Sequence, residues 1–266
     1  MAGNLERLCY NSAMLRTLIA TRYVTPLREG GSLPAIVEAN DDGMYVLKFR
    51  GAGQGPKALI AELVAGEIGR ALGLPVPEIV FLELDGMLGR SEPDFEVYNL
   101  IKVSAGLNLG LDYLPGSVAF NTLDLPKLDA RLASQIVWFD AYMSNVDRTA
   151  RNTNMLFWHQ RLMLIDHGAA LYIHHATDDY VARSHDPFTA IKGHVLLPAA
   201  SALAEVDSTC KHLLTPETLA AVVNEIPASW LEQPEQRTSY LMYLQARLDA
   251  SHIFVEEALH ARAQLI

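Results

Sequence analysis

The sequence predicts an α+β protein of two lobes, a small β-rich N-terminal lobe with one main helix and a larger, mostly helical C-terminal lobe. Three observations carry this expectation. Residues 20–50 are short β-prone stretches divided by turn residues. "KALIAELVAGEIGRAL" at 57–72 has helical composition and period. Beyond residue 195 three or more helical stretches follow, separated by "TPET", "IPAS" and "EQPEQ". Half of the 266 residues are hydrophobic, enough to give each lobe a core.

Taken in order, the strands come first. "RYVTPL", "AIVEA" and "MYVLKF" read as strands, with "REGGSLP" joining the first two and "NDDG" the next two. In that hairpin Gly43 is the residue expected to supply a positive φ. Gly73 stands where helix 57–72 should end. "VPEIVFLELDG" reads as a further strand leading into a turn. From residue 115 the character changes, and "LPKLDARLASQIVWFDAYM" at 125–143 forms a long amphipathic helix. The expected division is therefore 1–114 for the N-terminal lobe and 115–266 for the C-terminal lobe, with a cleft between them.

Composition excludes several classes of partner. A formal net charge of −10 and a pI near 5.3 imply no basic face, which argues against nucleic acid or an anionic membrane. Cys9 and Cys210 match no metal or disulfide spacing and suit a reducing cytosol. The first residues carry Glu6, Arg7 and Arg16 among apolar ones, unlike a signal peptide or a membrane span. With no uninterrupted apolar run of about 18 residues elsewhere, the expected location is the cytoplasm.

The chemistry concentrates in "MSNVDRTARNTN" at 143–154 and "RLMLIDHG" at 161–168. A helix-sized apolar stretch runs into a cluster of acids and amides, and a short apolar strand then ends in Asp166. Phosphoryl transfer asks a protein for this kind of set: ligands for metal ions, neutralisation of phosphate charge and an oriented hydroxyl. Asp147 is followed five positions later by Asn152, the offset between a catalytic-loop Asp and a metal-binding Asn in protein kinases. Asp166, at a strand end and followed by Gly168, supplies a second metal ligand. Lys48, on the strand "YVLKF", can neutralise phosphates, and a glutamate of helix 57–72 can hold it. Gly30, Gly31 and Ser32 sit between two strands, where backbone N–H groups cover phosphates. Taken singly, Asp147 and Asn152 suit turn and cap positions equally well, and the glycine pair suits an ordinary turn. Their joint order is what separates the readings.

"TPLREGGSLP", "YVLKF", "AELVAGEIGRALGLPVPE", "SNVDRTARNTN" and "LIDHG", in that order over roughly residues 20–170, resemble a HipA-like kinase of the protein-kinase and phosphatidylinositol-kinase fold group. The resemblance implies an ATP- and Mg²⁺-dependent kinase with Asp147 as catalytic base and Asn152 and Asp166 as metal ligands. It further implies Lys48 as the phosphate lysine, Glu62 as its helix partner, and a nucleotide loop at Gly30, Gly31 and Ser32. Such kinases can be silenced by phosphorylation of a loop serine, here Ser32, and often work beside a partner protein encoded nearby. This chain departs from the pattern in lacking an H-R-D histidine, in having Thr149 after the D-R pair, and in having His167 where D-F-G has Phe.

Helical period and resemblance disagree over the glutamate. Glu67 lies near the centre of the face made by Ile60, Leu63, Val64 and Ile68, with Glu62 on the opposite side; the resemblance selects Glu62. Arg148 and Arg151 suit either phosphate neutralisation or salt bridges. His167, His174, His175, His185 and His194 match no zinc spacing and are expected to border the substrate cleft; the three tryptophans are expected in the core. A Ser/Thr-directed protein kinase is the leading expectation. The alternatives are a small-molecule kinase and a nucleotide-binding pseudokinase or toxin–antitoxin-type interaction protein.

Overall fold

A computed structural model of the protein describes residues 14–28, 33–53, 55–175 and 181–265. Cys9 and the expected nucleotide loop at Gly30, Gly31 and Ser32 lie outside the described residues. Among those described, five strands close a barrel: β1 (Thr17–Pro26), β2 (Ala35–Ala39), β3 (Met44–Lys48), β4 (Ile79–Leu84) and β5 (Gly106–Asp112). The order is β1-β2-β3-β5-β4, and β4 closes the ring by pairing in parallel with β1. The side chains of β3 alternate, so Tyr45 and Leu47 enter the barrel and Lys48 emerges on the other face. Val37, Leu47, Val80 and Leu82 fill the interior, and Val97 and Ile101 of α2 (Phe95–Val103) pack against them. Gly110 lets these side chains pack closely, because a Cβ on it would meet Leu82 Cδ1 at 2.5 Å and Val80 Cγ2 at 3.0 Å.

The β2–β3 turn differs from expectation in one detail. Asp42 takes the left-handed conformation at φ 64°, and Gly43 does not. Aspartate tolerates that region, while Gly43 gives room to the Tyr45 ring, which a Cβ would approach to 2.9 Å.

α1 (Pro56–Ala71) follows the barrel's third strand with proline in its first turn. It stops at Gly73, whose φ of 74° lets Leu74 N–H donate back to Gly69 O at 2.9 Å. Every residue from Leu59 to Gly69 is buried, so the helix has no solvent face along that length. β4 lies on one side of it, and Phe139 on another, at 3.5 Å from where a Gly69 Cβ would stand.

The remaining chain adds β6 (Val118–Ala119), α3 (Ala130–Met143), β7 (Met155–Trp158), β8 (Arg161–Leu164), α4 (Leu203–Leu213), α5 (Pro216–Asn224), α6 (Gln236–Asp249) and α7 (Ser251–Ala263). The three strands form a second sheet, and buried residues of α1 and α3–α7 share one continuous core. The helix expected from residue 125 starts only at Ala130. Thr122–Lys127 is a separate 3-10 turn containing Pro126, and Asp129 caps α3 by accepting from Leu132 N–H at 2.8 Å. Trp138 and Trp230 are core residues, whereas Trp158 is partly exposed and donates to Pro115 O at 3.1 Å. Among the described residues no helix is long and apolar enough to cross a membrane.

Candidate active site

The site begins where α3 ends. Ser144 turns the chain out of the helix in the left-handed region, φ 51°, and its hydroxyl lies 3.2 Å from the Tyr243 hydroxyl. The next ten residues are then fastened from below by Asp140, a wholly buried carboxylate on the last turn of α3. Asn145 Nδ2 donates to Asp140 Oδ1 at 2.8 Å, while Arg148 Nε and His194 Nε2 meet Oδ2 at 2.6 and 2.9 Å. Burial alone would raise the Asp140 carboxyl; Arg148 and His194 outweigh it and hold it well below the usual carboxylate range. Arg148 is thus a buried structural cation (1% exposed) that also donates to Asn154 O, not a group open to phosphate. Arg151 is exposed.

On that base the loop presents Asp147, partly exposed. Asn145 Oδ1 accepts the Asp147 N–H at 3.2 Å. Asn152 Nδ2 donates to Asp147 Oδ2 at 2.8 Å, and Asn154 Nδ2 lies 3.5 Å from the same oxygen. Among the described residues nothing engages Asp147 Oδ1. With Asn152 Nδ2 assigned toward Asp147, its carboxamide oxygen is left for another partner. Asn154 Nδ2 also lies 3.4 Å from the Asp166 backbone oxygen, which joins this loop to the end of β8.

Across the site, Lys48 comes from β3. Its ammonium lies 2.6 Å from Asp166 Oδ1 and 3.6 Å from Glu62 Oε2. Burial would lower its pKa, and the two carboxylates reverse that and raise it. Glu62 is 2% exposed; burial works against its ionisation, but Lys48 and then His167 hold it well below the ordinary range. Glu67 turns to Arg70 at 3.3 Å, so the helix partner of Lys48 is Glu62. The period misled because α1 is packed on all sides, and an apolar face then no longer marks the inward direction.

Lys48, Glu62, Asp147, Asn152 and Asp166 therefore converge, from β3, α1, the loop after α3 and the end of β8. Asp166 has φ 56°, a left-handed conformation that aims its carboxylate back at Lys48. Three of the five histidines do not border a cleft: His167, His174 and His194 are buried, bonded to Glu62, Tyr240 and Asp140 respectively. Sequence reading missed Asp140 and set His194 at the cleft border rather than on that carboxylate. A signal for Asp140 existed, a lone acid inside the apolar run "IVWFDAYM". For His194, forty-six residues beyond Arg148, there was none.

A five-stranded barrel joined through one buried helix to a helical region, with an acid–lysine–acid set at the junction, is the architecture of a kinase. Its structural neighbours are kinases. The Helicobacter pylori proinflammatory kinase CtkA superposes with a TM-score of 0.53 at 14% identity, covering 90% of this chain and 97% of its own. The Golgi casein kinase with Mn/ADP bound gives 0.50 at 12%, covering 91% and 74%. No curated protein matches the chain. The HipA-like kinase family model matches residues 21–254. The chain belongs to the HipA-like kinase family.

Proposed function

We propose that this kinase transfers the γ-phosphate of ATP, with Mg²⁺, to a hydroxyl, and that the acceptor is a Ser or Thr of a protein. The observation that carries the reading is the pairing of two arrays: Lys48 between Glu62 and Asp166, and Asp147 with one carboxylate oxygen taken by amides and the other unengaged. The Mn and ADP named for the Golgi casein kinase structure are compatible with a nucleotide and a divalent cation here. Among the described residues no three His, Cys, Asp or Glu side chains form a metal cage. A cation would therefore rest on the Asp166 carboxylate, the free oxygen of Asn152 and phosphate oxygens, a hard-oxygen set suited to Mg²⁺. When bound, the cation offsets charge on the phosphates.

The chain's own residues do the rest. Lys48 neutralises phosphate, and Glu62 holds its ammonium from the α1 side. Asp147 Oδ1 accepts the hydrogen bond of the acceptor hydroxyl and aims its oxygen at the γ-phosphorus. As the new P–O bond forms and the bond to ADP breaks, the hydroxyl proton passes to Asp147. On this reading the two lobes divide at residues 1–114 and 115–266, with the site between them.

Asp147→Asn keeps the shape and removes the acceptor charge. Phosphotransfer, followed by mass spectrometry of self-phosphorylation and by lysate labelling, is expected to fall about 10²-fold or more. ATP affinity should change little. Transfer at the wild-type rate would overturn the reading, and labelling of small molecules only would replace the protein acceptor.

A further inference from the structure

His167, between Asp166 and Gly168, has no task in the scheme above, yet its surroundings are specific. The side chain is wholly buried. Nδ1 lies 3.4 Å from Glu62 Oε1. The ring meets Phe139 edge-on, with centroids 5.7 Å apart and planes at 75°. Nε2 is buried and has no partner among the described residues. Glu62 turns its other oxygen to Lys48, and Lys48 reaches back to Asp166, the residue next to His167. Lys48, Glu62, His167 and Asp166 therefore form a ring of contacts that closes through one peptide bond.

We propose that His167 is a positioning residue whose Nδ1–H donates to Glu62 and ties the D-x-G segment to α1, so that Lys48 is held from both sides as one unit. The donor assignment follows from geometry: Glu62 Oε1 can only accept, so the ring nitrogen facing it, Nδ1, carries the proton. Packing alone does not account for histidine here. A phenylalanine fills the same space against Phe139 and offers Glu62 no donor, leaving a buried carboxylate with one contact fewer. Without that contact, Glu62 and the metal-binding segment move independently, and Lys48 loses its defined place.

This inference rests on the proposed function, and its test separates the two. His167→Phe, Glu62→Gln and the double variant form a cycle. Affinity for a non-hydrolysable ATP analogue, kcat and KM for ATP are measured on each, with Tm reporting folding. His167→Phe alone should weaken nucleotide binding about fivefold, within the coupling range for contacting residues. In the Glu62→Gln background the same change should add less than about twofold, since the partner is already gone. His167→Asn sets an amide donor at the Nδ1 position and should restore binding, whereas His167→Gln sets it at the Nε2 position and should not. The Asn–Gln contrast decides alone if the Phe variant does not fold. Equal losses in both backgrounds, or Asn no better than Gln at equal Tm, would overturn the proposal. Were Lys48→Met and Asp147→Asn also without effect on transfer, the kinase-site reading itself would fall; if they abolish transfer, only the role of His167 falls.

Discussion

Asp140, wholly buried, carries three polar contacts, and each fastens a different residue of the chain. Asn145 and Arg148 belong to the loop that bears Asp147, and His194 belongs to the segment beyond it. Neutralising Asp140 leaves Arg148 a buried cation without its counter-charge. Asp140→Asn is therefore expected to cost about 3–5 kcal/mol of stability, with phosphotransfer reduced because Asp147 loses its footing. Chemical denaturation followed by transfer assays on the folded fraction checks both. Unchanged stability would mean the contacts contribute nothing net. A gentler change isolates Lys48: Lys48→Met removes charge from the phosphate side, so the thermal shift produced by ATP and Mg²⁺ should shrink. An undiminished shift would count against Lys48 as the phosphate-binding residue.

Among the elements, α1 has the most demanding position. It belongs to the core shared by the helices while delivering Glu62 to a lysine on the barrel. Close approach to β4 depends on Gly66, where a Cβ would stand 2.3 Å from Ile79 Cδ1. Gly66→Val forces either Ile79 or the helix to move. Overpacking of this kind costs about 1–3 kcal/mol, or roughly 2–4 °C of Tm per kcal/mol in a chain of this size. Where the helix is the part that moves, Glu62 turns with it and transfer should fall alongside Tm. Gly66→Ala provides the graded comparison, since Ile79 Cδ1 is a flexible end that can yield to one methyl group. If Val lowers Tm but leaves transfer per folded molecule intact, α1 does not set the lysine's position.

Across the molecule, two of the buried carboxylates among the described residues, Glu62 and Asp140, are held ionised below their ordinary range. A carboxylate with a depressed folded pKa contributes stability that is fully present above its unfolded value, about 4. That contribution is lost as pH falls through the unfolded value toward the folded one. The protein should therefore hold its Tm from neutral pH to about 5 and lose it steeply from there toward pH 3. Lys48, with its pKa raised, adds stability that is lost only far on the alkaline side. Thermal melts across pH test this. The acid limb should be shallower in Glu62→Gln, and an equal slope would show that Glu62 is not part of the acid transition.

Local information reached a long way in this chain. Alternation placed β2 and β3, composition and Gly73 bounded α1, and the order of Lys48, Asp147, Asn152 and Asp166 singled out residues that the fold brings together, because each depends on residues close in sequence. What local pattern could not decide was contact between distant segments. The choice of Glu62 over Glu67 depended on α1 being enclosed on every side. The burial of Arg148 depended on Asp140 and on His194, which arrives from a later part of the chain. The link from His167 to Glu62 spans 105 residues. Periodicity reports which face of an element is apolar; it does not report which buried polar group that face will meet, and only the tertiary structure brings those partners within hydrogen-bonding distance.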